Sequence, residues 1–295
     1  MKIEAPQIAT DEPKINNVNS IKKNDLKVNF IRHSNATYAT YNKMVKSENP
    51  STKFKPNEQI YPDLSHEGIE KAKESAQKFF KELNPENTEL FFVSSNEARA
   101  IETAGIYLSE AFKNKFDVIK PENSRSKISD EHLEGYVRII NQLSNNYDQA
   151  IVSSLLYPED TRRNINFENL KPAERILFER IKEIIDQDNK GSFSSNYLAY
   201  GSKIKEIIPE FETAEDLYDN NFKNLIRLFR FAENKNSNTN KKIQILAFGH
   251  ENQVLIALNK YFEENNINNC EVLNVESREG KEIVGTFRGK TTKIY

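Results

Sequence analysis

The chain contains a single cysteine, Cys270, among its 295 residues. One cysteine excludes a disulfide within the chain, and it also excludes a metal site built from cysteines. A lone cysteine suits a reducing compartment, where disulfides are rare, so we expect a cytoplasmic protein.

Charge of one sign and long apolar runs are also missing. The 42 Lys and Arg residues nearly cancel the 44 Asp and Glu residues, so we expect neither a nucleic-acid partner nor a polybasic membrane anchor. No stretch approaches the length of about 18 apolar residues that a membrane helix needs. Residues 1–25 have no apolar h-region of a secretory signal, and their Pro, Asn and Lys content predicts a flexible tail.

Four short apolar runs predict buried strands, at residues 26–31, 90–93, 116–119 and 243–248. With 37% hydrophobic and 29% charged residues the chain is polar but still globular, and its length allows one large domain or two smaller ones. Helical patterns follow the first, second and fourth runs, and strands that alternate with helices are typical of βαβ units. The sequence therefore predicts an α/β fold, a three-layer α/β/α sandwich with a mainly parallel sheet and helices on both faces.

The predicted helices begin at or just after polar or proline residues. Serine, threonine and asparagine at the N-cap accept a hydrogen bond from a free N–H of the first turn, and proline in the first turn loses no bond. Three patterns begin at Asn96, at Pro172, and at Thr213 with Asp216 as a capping-box-like pair. The other two run from Ser65 and in the residues after Glu251.

One long segment interrupts the alternation of strands and helices. Residues 136–199 show no strand pattern, so we predict a helical insertion at 136–204 that forms a cap over the active face. The α/β core then consists of 26–135 and 205–295. Within the core, residues 271–295 alternate in polarity around a Glu-Gly turn, which predicts a hairpin at the sheet edge.

Three of the predicted strands end next to residues that suit phosphate chemistry. Arg32 and His33 end the first strand, Arg99 lies at the start of the helix after the second, and His250 follows the last core strand. The carboxyl ends of parallel strands meet at one edge of the sheet, where open α/β sheets bind their ligands. We therefore expect these four side chains to form one site.

Each of these residue types has a function in phosphoryl transfer. Arginine binds phosphoryl oxygens through a planar fork and stays charged, and Arg99 also lies in a first helical turn, whose free N–H groups favour an anion. His33 can attack phosphorus through a neutral ring nitrogen. His250 can donate a hydrogen bond to the equatorial oxygens of the transition state. Arg32, Arg99 and His250 are therefore the predicted phosphate-binding residues.

Four sequence blocks occur in an order that is typical of one family. The blocks are Arg32-His33-Ser34, Leu64-Ser65-His66-Glu67-Gly68 with Ala72, Ser94-Ser95 through Arg99-Ala100 to Thr103-Ala104, and Gly249-His250. Together they resemble the motifs of the histidine phosphatase superfamily, also called phosphoglycerate mutase-like. The resemblance implies that His33 is phosphorylated transiently. The chain resembles a divergent branch 1-type member of this superfamily, because Ser34 replaces the usual Gly and no Glu follows it.

The resemblance also implies a carboxylic acid that protonates the leaving oxygen, usually in an Asp-x-x-Leu-x-Glu-like segment. Residues 130–135 resemble that segment with one residue missing, and we favour Glu134 as the acid. Asp130 and Glu131 are alternatives. Glu251 is another, because in the acid phosphatase branch an Asp follows the second His directly. Glu134 as an ordinary surface acid also stays open.

The function implied is phosphomonoester hydrolysis through a phosphohistidine on His33, with a phosphorylated substrate as the partner. We expect no metal and no other cofactor, because no Asp, His and Glu cluster has metal-ligand spacing and the cationic side chains already supply positive charge. One alternative is a phosphoglycerate-mutase-type phosphotransferase, although the segment 32–49 lacks the mutase-like continuation of its motif. Another is a catalytically inactive phosphate-binding module with the insertion as its recognition surface. His66 and His132 are expected to be structural.

Overall fold

The computed structural model describes residues 26–36, 64–95, 97–119, 150–152, 156, 170–188, 193–209, 211–218, 224, 227–229, 240–278 and 282–294. Within them eight strands form one sheet: β1 (Leu26–Arg32), β2 (Thr88–Ser94), β3 (Asp117–Val118), β4 (Ala150–Val152), β5 (Lys242–Gly249), β6 (Val272–Arg278), β7 (Glu282–Phe287) and β8 (Lys290–Lys293). The named helices are α1 (His66–Lys81), α2 (Ala98–Lys113), α3 (Pro172–Asp188), α4 (Phe193–Ile207) and α5 (Leu255–Phe262).

The sheet has a parallel half and an antiparallel half. Its order is β3-β2-β5-β1-β6-β7-β8, and β4 pairs with β2 beyond the end of β3. Strands β1 to β5 pair in parallel, whereas β6, β7 and β8 are each antiparallel to their neighbours. The predicted α/β class with a mainly parallel core is confirmed.

Helices cover both faces of this sheet. On one face Phe80 of α1 and Tyr107 of α2 pack against Phe248 of β5, and all three are almost fully buried. On the other face Leu258 of α5 packs in a cluster that includes Phe30 of β1. Each fully buried side chain of this size contributes about 1.5–3 kcal/mol relative to an exposed one. The predicted three-layer arrangement is therefore confirmed.

The start of α1 is tied to the segment that follows β1. Ser65 is the N-cap as predicted, and its Oγ accepts a hydrogen bond from the Gly68 N–H at 3.0 Å. A Cβ on Gly68 would lie 2.1 Å from the carbonyl oxygen of Asn35, so only glycine permits this approach. The Ser65 N–H donates to the same carbonyl at 3.0 Å, which fixes the helix start beside the end of β1.

The predicted N-cap of α2 is wrong by one residue. Glu97, not Asn96, is the N-cap, with an extended backbone and no capping bond from its side chain. Its carbonyl accepts from the N–H groups of Ala100 and Ile101, which starts the helix at Ala98. The Glu97 carboxylate bonds to an arginine side chain instead (below), and Asn96 lies outside the described residues.

Two further helix starts are confirmed. Helix α3 begins at Pro172. At the start of the helical residues 214–218, the Thr213 N–H donates to Asp216 Oδ2 at 2.7 Å and the Asp216 N–H donates back to Thr213 Oγ1 at 3.2 Å. A hydrogen bond from Lys205 and those from Thr213 lower the pKa of Asp216 to about 2, so the cap stays charged at neutral pH.

The segment predicted as a purely helical insertion contains a strand. Strand β4 lies within 136–204 and extends the edge of β2, so the absence of strands predicted there is wrong. A strand of three residues is too short to show the two-residue alternation of apolar and polar positions in its sequence. Helix α3 also lies in the segment, and α4 begins there and ends three residues beyond it. Side chains of both helices pack against a cluster that includes Leu255 at the start of α5. The boundaries of tail, core and insertion stay predictions. None of the described helices combines the length and the apolar character needed to cross a bilayer.

The C-terminal hairpin is confirmed and continues into a third strand. Strands β6 and β7 are antiparallel, and residues 279–281 between them lie outside the described part of the chain. Arg288 and Gly289 then connect β7 to β8, both with positive φ (46° and 78°). Two positive φ values are what a tight type I′ hairpin turn requires. Because this turn has only one glycine, the sequence pattern did not reveal it.

Candidate active site

The register of the parallel strands brings the three predicted strand ends together. Arg32 of β1 is the register partner of Gly249, and Ser94 of β2 is the register partner of Phe248. The N–H of His33 then donates to the Gly249 carbonyl at 3.0 Å. The residues that follow β1, β2 and β5 therefore lie side by side at the carboxyl edge, as predicted.

The hydrogen bonds of His33 define its tautomer. Nδ1 lies 2.7 Å from the carbonyl oxygen of Ser34, and because a carbonyl only accepts, Nδ1 carries the proton. Nε2 is then unprotonated and accepts a hydrogen bond from Arg99 Nε at 3.2 Å. Asn269 Nδ2 donates to the His33 carbonyl at 2.7 Å and restrains its backbone. His33 thus presents a ring lone pair to the site, with only 4% of the residue exposed.

Arg99 lies between the two histidines. Its Nε donates to His33 Nε2, and its Nη2 donates to His250 Nδ1 at 3.2 Å. On the third side, Nη1 pairs with Glu97 Oε2 at 2.9 Å. The guanidinium therefore spans the interval between the rings, whose centroids are 5.1 Å apart.

His250 is held by groups on both sides of its ring. Since arginine only donates, Nδ1 is the acceptor towards Arg99, and Nε2–H donates to Ser95 Oγ at 2.8 Å. The His250 N–H also donates to Gln253 Oε1 at 2.7 Å, which fixes the backbone at this position. The ring nitrogen of His250 that faces Arg99 is thus a hydrogen-bond acceptor here, whereas the sequence analysis predicted a donor.

Both imidazoles are neutral at physiological pH. Burial is the main cause that lowers the pKa of His33 and of His250 well below the ordinary value, and the positive charges of Arg99 and Arg32 lower it further. The hydrogen bond to Ser34 opposes the shift at His33 without reversing it. A neutral His33 keeps its Nε2 lone pair available near pH 7.

Arg32 is paired in a similar way with a buried acid. Its Nη1 lies 3.1 Å from Glu251 Oε2 and also donates to the carbonyl oxygen of Ile267. The Ile267 N–H in turn donates to Glu251 Oε1 at 3.4 Å. The buried Nε of Arg32 has no hydrogen-bond partner among the described residues, so this guanidinium keeps donor capacity.

The predicted acids fall into two groups. Glu134, Asp130 and Glu131 lie outside the described residues. Glu251 is buried and lies at the site, but it is ion-paired with Arg32. Its contacts with Arg32 and with the Ile267 N–H fit the orientation of Arg32 better than acid catalysis. His66, the first residue of α1, is exposed and away from these contacts.

Sequence reasoning missed three groups that shape the site. Ser95 and Glu97 lie inside a block that the sequence singled out, but neither was given a function, and Asn269 was not noticed. A carboxylate two residues before a predicted anion-binding arginine was the available signal for Glu97. For Asn269, in a loop far along the chain, there was none. Among the described residues no group of three or more His, Cys, Asp or Glu side chains forms a cluster suited to a metal ion.

Fold and site together define an α/β protein with two histidines and two arginines at the carboxyl edge of its sheet. No family model and no curated protein matches the chain. Solved structures similar to it include a phosphoglycerate mutase from Bacillus anthracis str. Sterne, with 12% identity and a TM-score of 0.46 over 92% of each chain. An alpha-ribazole phosphatase from Shigella flexneri has 13% identity and a TM-score of 0.39 over 89% of this chain and 95% of its own.

A mycobacterial glucosyl-3-phosphoglycerate phosphatase is similar at 13% identity and a TM-score of 0.40, over 85% of this chain and 89% of its own. At these TM-scores the likeness carries nothing about the substrate or about the functions of single residues here.

Proposed function

We propose that this chain is a phosphomonoester hydrolase of the histidine phosphatase type, which forms a transient phosphohistidine on His33 and needs no metal. The observation that supports this most is the tautomer of His33. Its Nδ1–H is committed to the Ser34 carbonyl, which leaves the Nε2 lone pair directed at the guanidinium of Arg99. The nucleophilic nitrogen of His33 and the anion-binding guanidinium of Arg99 are thus in direct contact.

The reaction takes two displacements. In the first, the phosphoryl group of the substrate takes the place of the hydrogen bonds between Arg99 and the two histidine rings. The lone pair of His33 Nε2 then forms the N–P bond, and the P–O bond to the leaving group breaks. The leaving oxygen takes its proton from a carboxylic acid, for which we propose Glu134. In the second, a water oxygen attacks phosphorus, the N–P bond breaks, and Glu134, now a carboxylate, takes the proton that the water loses. The products are inorganic phosphate and neutral His33, and the acid is regenerated.

His250 stabilises the phosphoryl oxygens after a change of tautomer. A serine hydroxyl both donates and accepts, so Ser95 Oγ–H can donate to Nε2 and leave the proton on Nδ1. Nδ1–H then donates to an equatorial oxygen that takes the place of Arg99 Nη2. Arg99 and the free donors of Arg32 supply positive charge as negative charge spreads over these oxygens.

A panel of phosphomonoesters, assayed on purified protein in excess chelator, tests this proposal. We expect release of inorganic phosphate from wild type and its loss in His33→Ala. The matched control is His66→Ala, which removes an exposed histidine and should leave turnover unchanged. Rapid quench with ³²P-labelled substrate should trap an acid-labile, base-stable phosphoenzyme in wild type and none in His33→Ala.

Four outcomes would contradict the proposal. Label on a residue other than His33 would remove the nucleophile assignment, and activity that depends on added Mg²⁺ or Zn²⁺ would remove the metal-free mechanism. Transfer of the phosphoryl group to a bound sugar acid without phosphate release would favour the mutase-type alternative, and phosphate binding without any turnover would favour the inactive module.

A further inference from the structure

Glu97 is a buried acid beside an anion-binding site, which is an unfavourable place for negative charge. Only 3% of the residue is exposed, and its carboxylate lies one contact away from the proposed phosphoryl position. A second anion there weakens the attraction for phosphate, because charges interact strongly away from water. Its presence therefore points to a function other than binding the phosphoryl group.

The contacts of Arg99 indicate what that function is. A guanidinium has its donors in a rigid plane, so fixing one nitrogen restricts where the others point. Glu97 Oε2 holds Nη1 at 2.9 Å, and the two remaining nitrogens, Nε and Nη2, then face His33 Nε2 and His250 Nδ1, each at 3.2 Å. An arginine without this anchor has several rotamers available and loses entropy when it is ordered by the substrate.

We propose that Glu97 is a positioning residue, which orients the guanidinium of Arg99 so that its Nε meets the nucleophile and its Nη2 meets the second histidine. This inference rests on the proposed function, because it gives Glu97 a part in the same reaction. Glu97 touches neither nucleophile nor substrate and acts through Arg99. Glu97 is the N-cap of α2 and has an extended backbone, and Arg99 is the second residue of the helix.

The anchored position also has an electrostatic consequence. Burial is the largest cause that lowers the pKa of His33, and the charge of Arg99 is the second largest. Among the described residues, the charged or titratable groups around His33 include Arg32 on β1, Arg99 and Glu97 at α2, and His250 with Glu251 after β5. If Arg99 leaves its place, the pKa of His33 rises, whereas a merely structural loss at Glu97 has no such effect.

The test compares three substitutions. Glu97→Leu removes the acceptor and keeps the side-chain volume at this buried position, and Glu97→Ala repeats the test should the leucine variant fold poorly. Glu97→Gln keeps an oxygen that accepts from Nη1 but removes the charge. The matched control is Glu110→Ala, which removes the acid of a Lys113 pair at the other end of the same helix.

We expect kcat to fall roughly 10- to 100-fold in Glu97→Leu, with KM changed only a few-fold, since the oriented guanidinium acts mainly on the transition state. Glu97→Gln should recover most of this loss, and Glu110→Ala should match wild type. ¹⁵N NMR titration of labelled histidines, with His33→Gln for assignment, should show a higher pKa of His33 in Glu97→Leu than in wild type.

The outcomes separate this inference from the proposed function. An inactive wild type overturns the proposed function, and the histidine titration still tests the placement of Arg99. An active wild type with unchanged kcat and unchanged His33 titration in both Glu97→Leu and Glu97→Ala overturns the positioning of Arg99 by Glu97. A Glu97→Gln variant as impaired as Glu97→Leu overturns orientation through a hydrogen bond.

Discussion

At the scale of single residues, each of the two arginines in the site is paired with one buried carboxylate. Arg32 pairs with Glu251 at 3.1 Å and Arg99 with Glu97 at 2.9 Å. Even with these ion pairs, the positive charges of both guanidiniums lower the pKa of the two buried imidazoles. Each carboxylate compensates the charge of its arginine, which is otherwise costly to bury.

The proposed acid can be tested by the leaving group. Glu134→Gln should lower turnover of an alkyl phosphate about 10²–10⁴-fold, the usual range for general acid catalysis. It should affect p-nitrophenyl phosphate much less, because a nitrophenolate departs as an anion and needs little help from a proton. Steady-state kinetics on the two substrates measure the difference.

Parallel variants make this comparison discriminating. Asp130→Asn, Glu131→Gln and Glu251→Gln are measured on the same two substrates, and the acid is the residue whose variant alone shows the leaving-group dependence. From the pairing with Arg32, we expect Glu251→Gln to lower turnover of both substrates alike. If Glu134→Gln has equal and small effects on both substrates, Glu134 is an ordinary surface acid and not the catalytic acid.

Residue types were easier to predict than their orientations. His33, Arg99 and His250 follow apolar runs, and parallel strands necessarily align their carboxyl ends, so the sequence was sufficient to bring them together. The tautomers and the Glu97 anchor depend on the exact placement of hydrogen-bonding atoms, some in neighbouring residues and some far apart in the chain. No spacing in the sequence encodes such placement.

At the scale of elements, the site depends on how closely α1 approaches the end of β1. The segment from His33 to Asn35 is held between this helix start and α2. Ser34 Oγ donates to the Gly68 carbonyl at 2.7 Å, and the Ser34 N–H donates to Thr103 Oγ1 at 3.0 Å. The residue that replaces the usual Gly of the family motif therefore joins two helices to the nucleophile.

This contact leads to a prediction at Gly68. Gly68→Ala places a Cβ against the backbone oxygen of Asn35, which cannot move without shifting the residues next to His33. We expect a loss of about 1–3 kcal/mol in the free energy of unfolding, as is usual for overpacking. Urea unfolding followed by circular dichroism measures the loss, and phosphatase assays should show lower activity.

Gly201→Ala is the matched control. A Cβ on Gly201 in α4 would have its nearest neighbours at 3.8 Å, an ordinary contact. Alanine favours helices over glycine, so this variant should gain about 0.4–1 kcal/mol. If Gly68→Ala were as stable as wild type, the close approach of α1 to β1 would not be a constraint.

Long elements with a clear period were the predictable part of the fold. Helices α1 and α2 and strands β1, β2 and β5 have apolar positions on one face or in one run, and their predicted positions agree with the structure to within a few residues. Strand β4 has three residues and was missed, since its place beside β2 is set by the sheet edge that it completes rather than by its own pattern.

At the scale of the whole molecule, the two buried histidines make stability depend on pH. Their pKa values are lowered in the folded state, whereas an unfolded histidine titrates near about 6.5. Above this pH both states hold neutral histidines. Below it the unfolded chain takes up protons that the folded chain does not, so stability falls as pH decreases towards the lowered pKa values.

We expect the free energy of unfolding to drop by up to about 1.4 kcal/mol per histidine for each pH unit below about 6.5. Urea unfolding at pH values from neutral to mildly acidic measures the slope. The slope should flatten in the His33→Gln, His250→Gln double variant and persist in His66→Gln, which alters only an exposed ring. An identical slope in the double variant would show that other groups cause it.

The position of β5 between β1 and β2 has a consequence for biosynthesis. The two strands made first do not pair with each other, and they stay apart until residues 242–249 have been synthesised and inserted between them. Pairings that join residues more than two hundred positions apart form slowly, because a long loop must close first. During translation, most of the polypeptide has therefore left the ribosome before His33 meets His250. A prematurely terminated product that lacks β5 cannot form the proposed phosphoryl site.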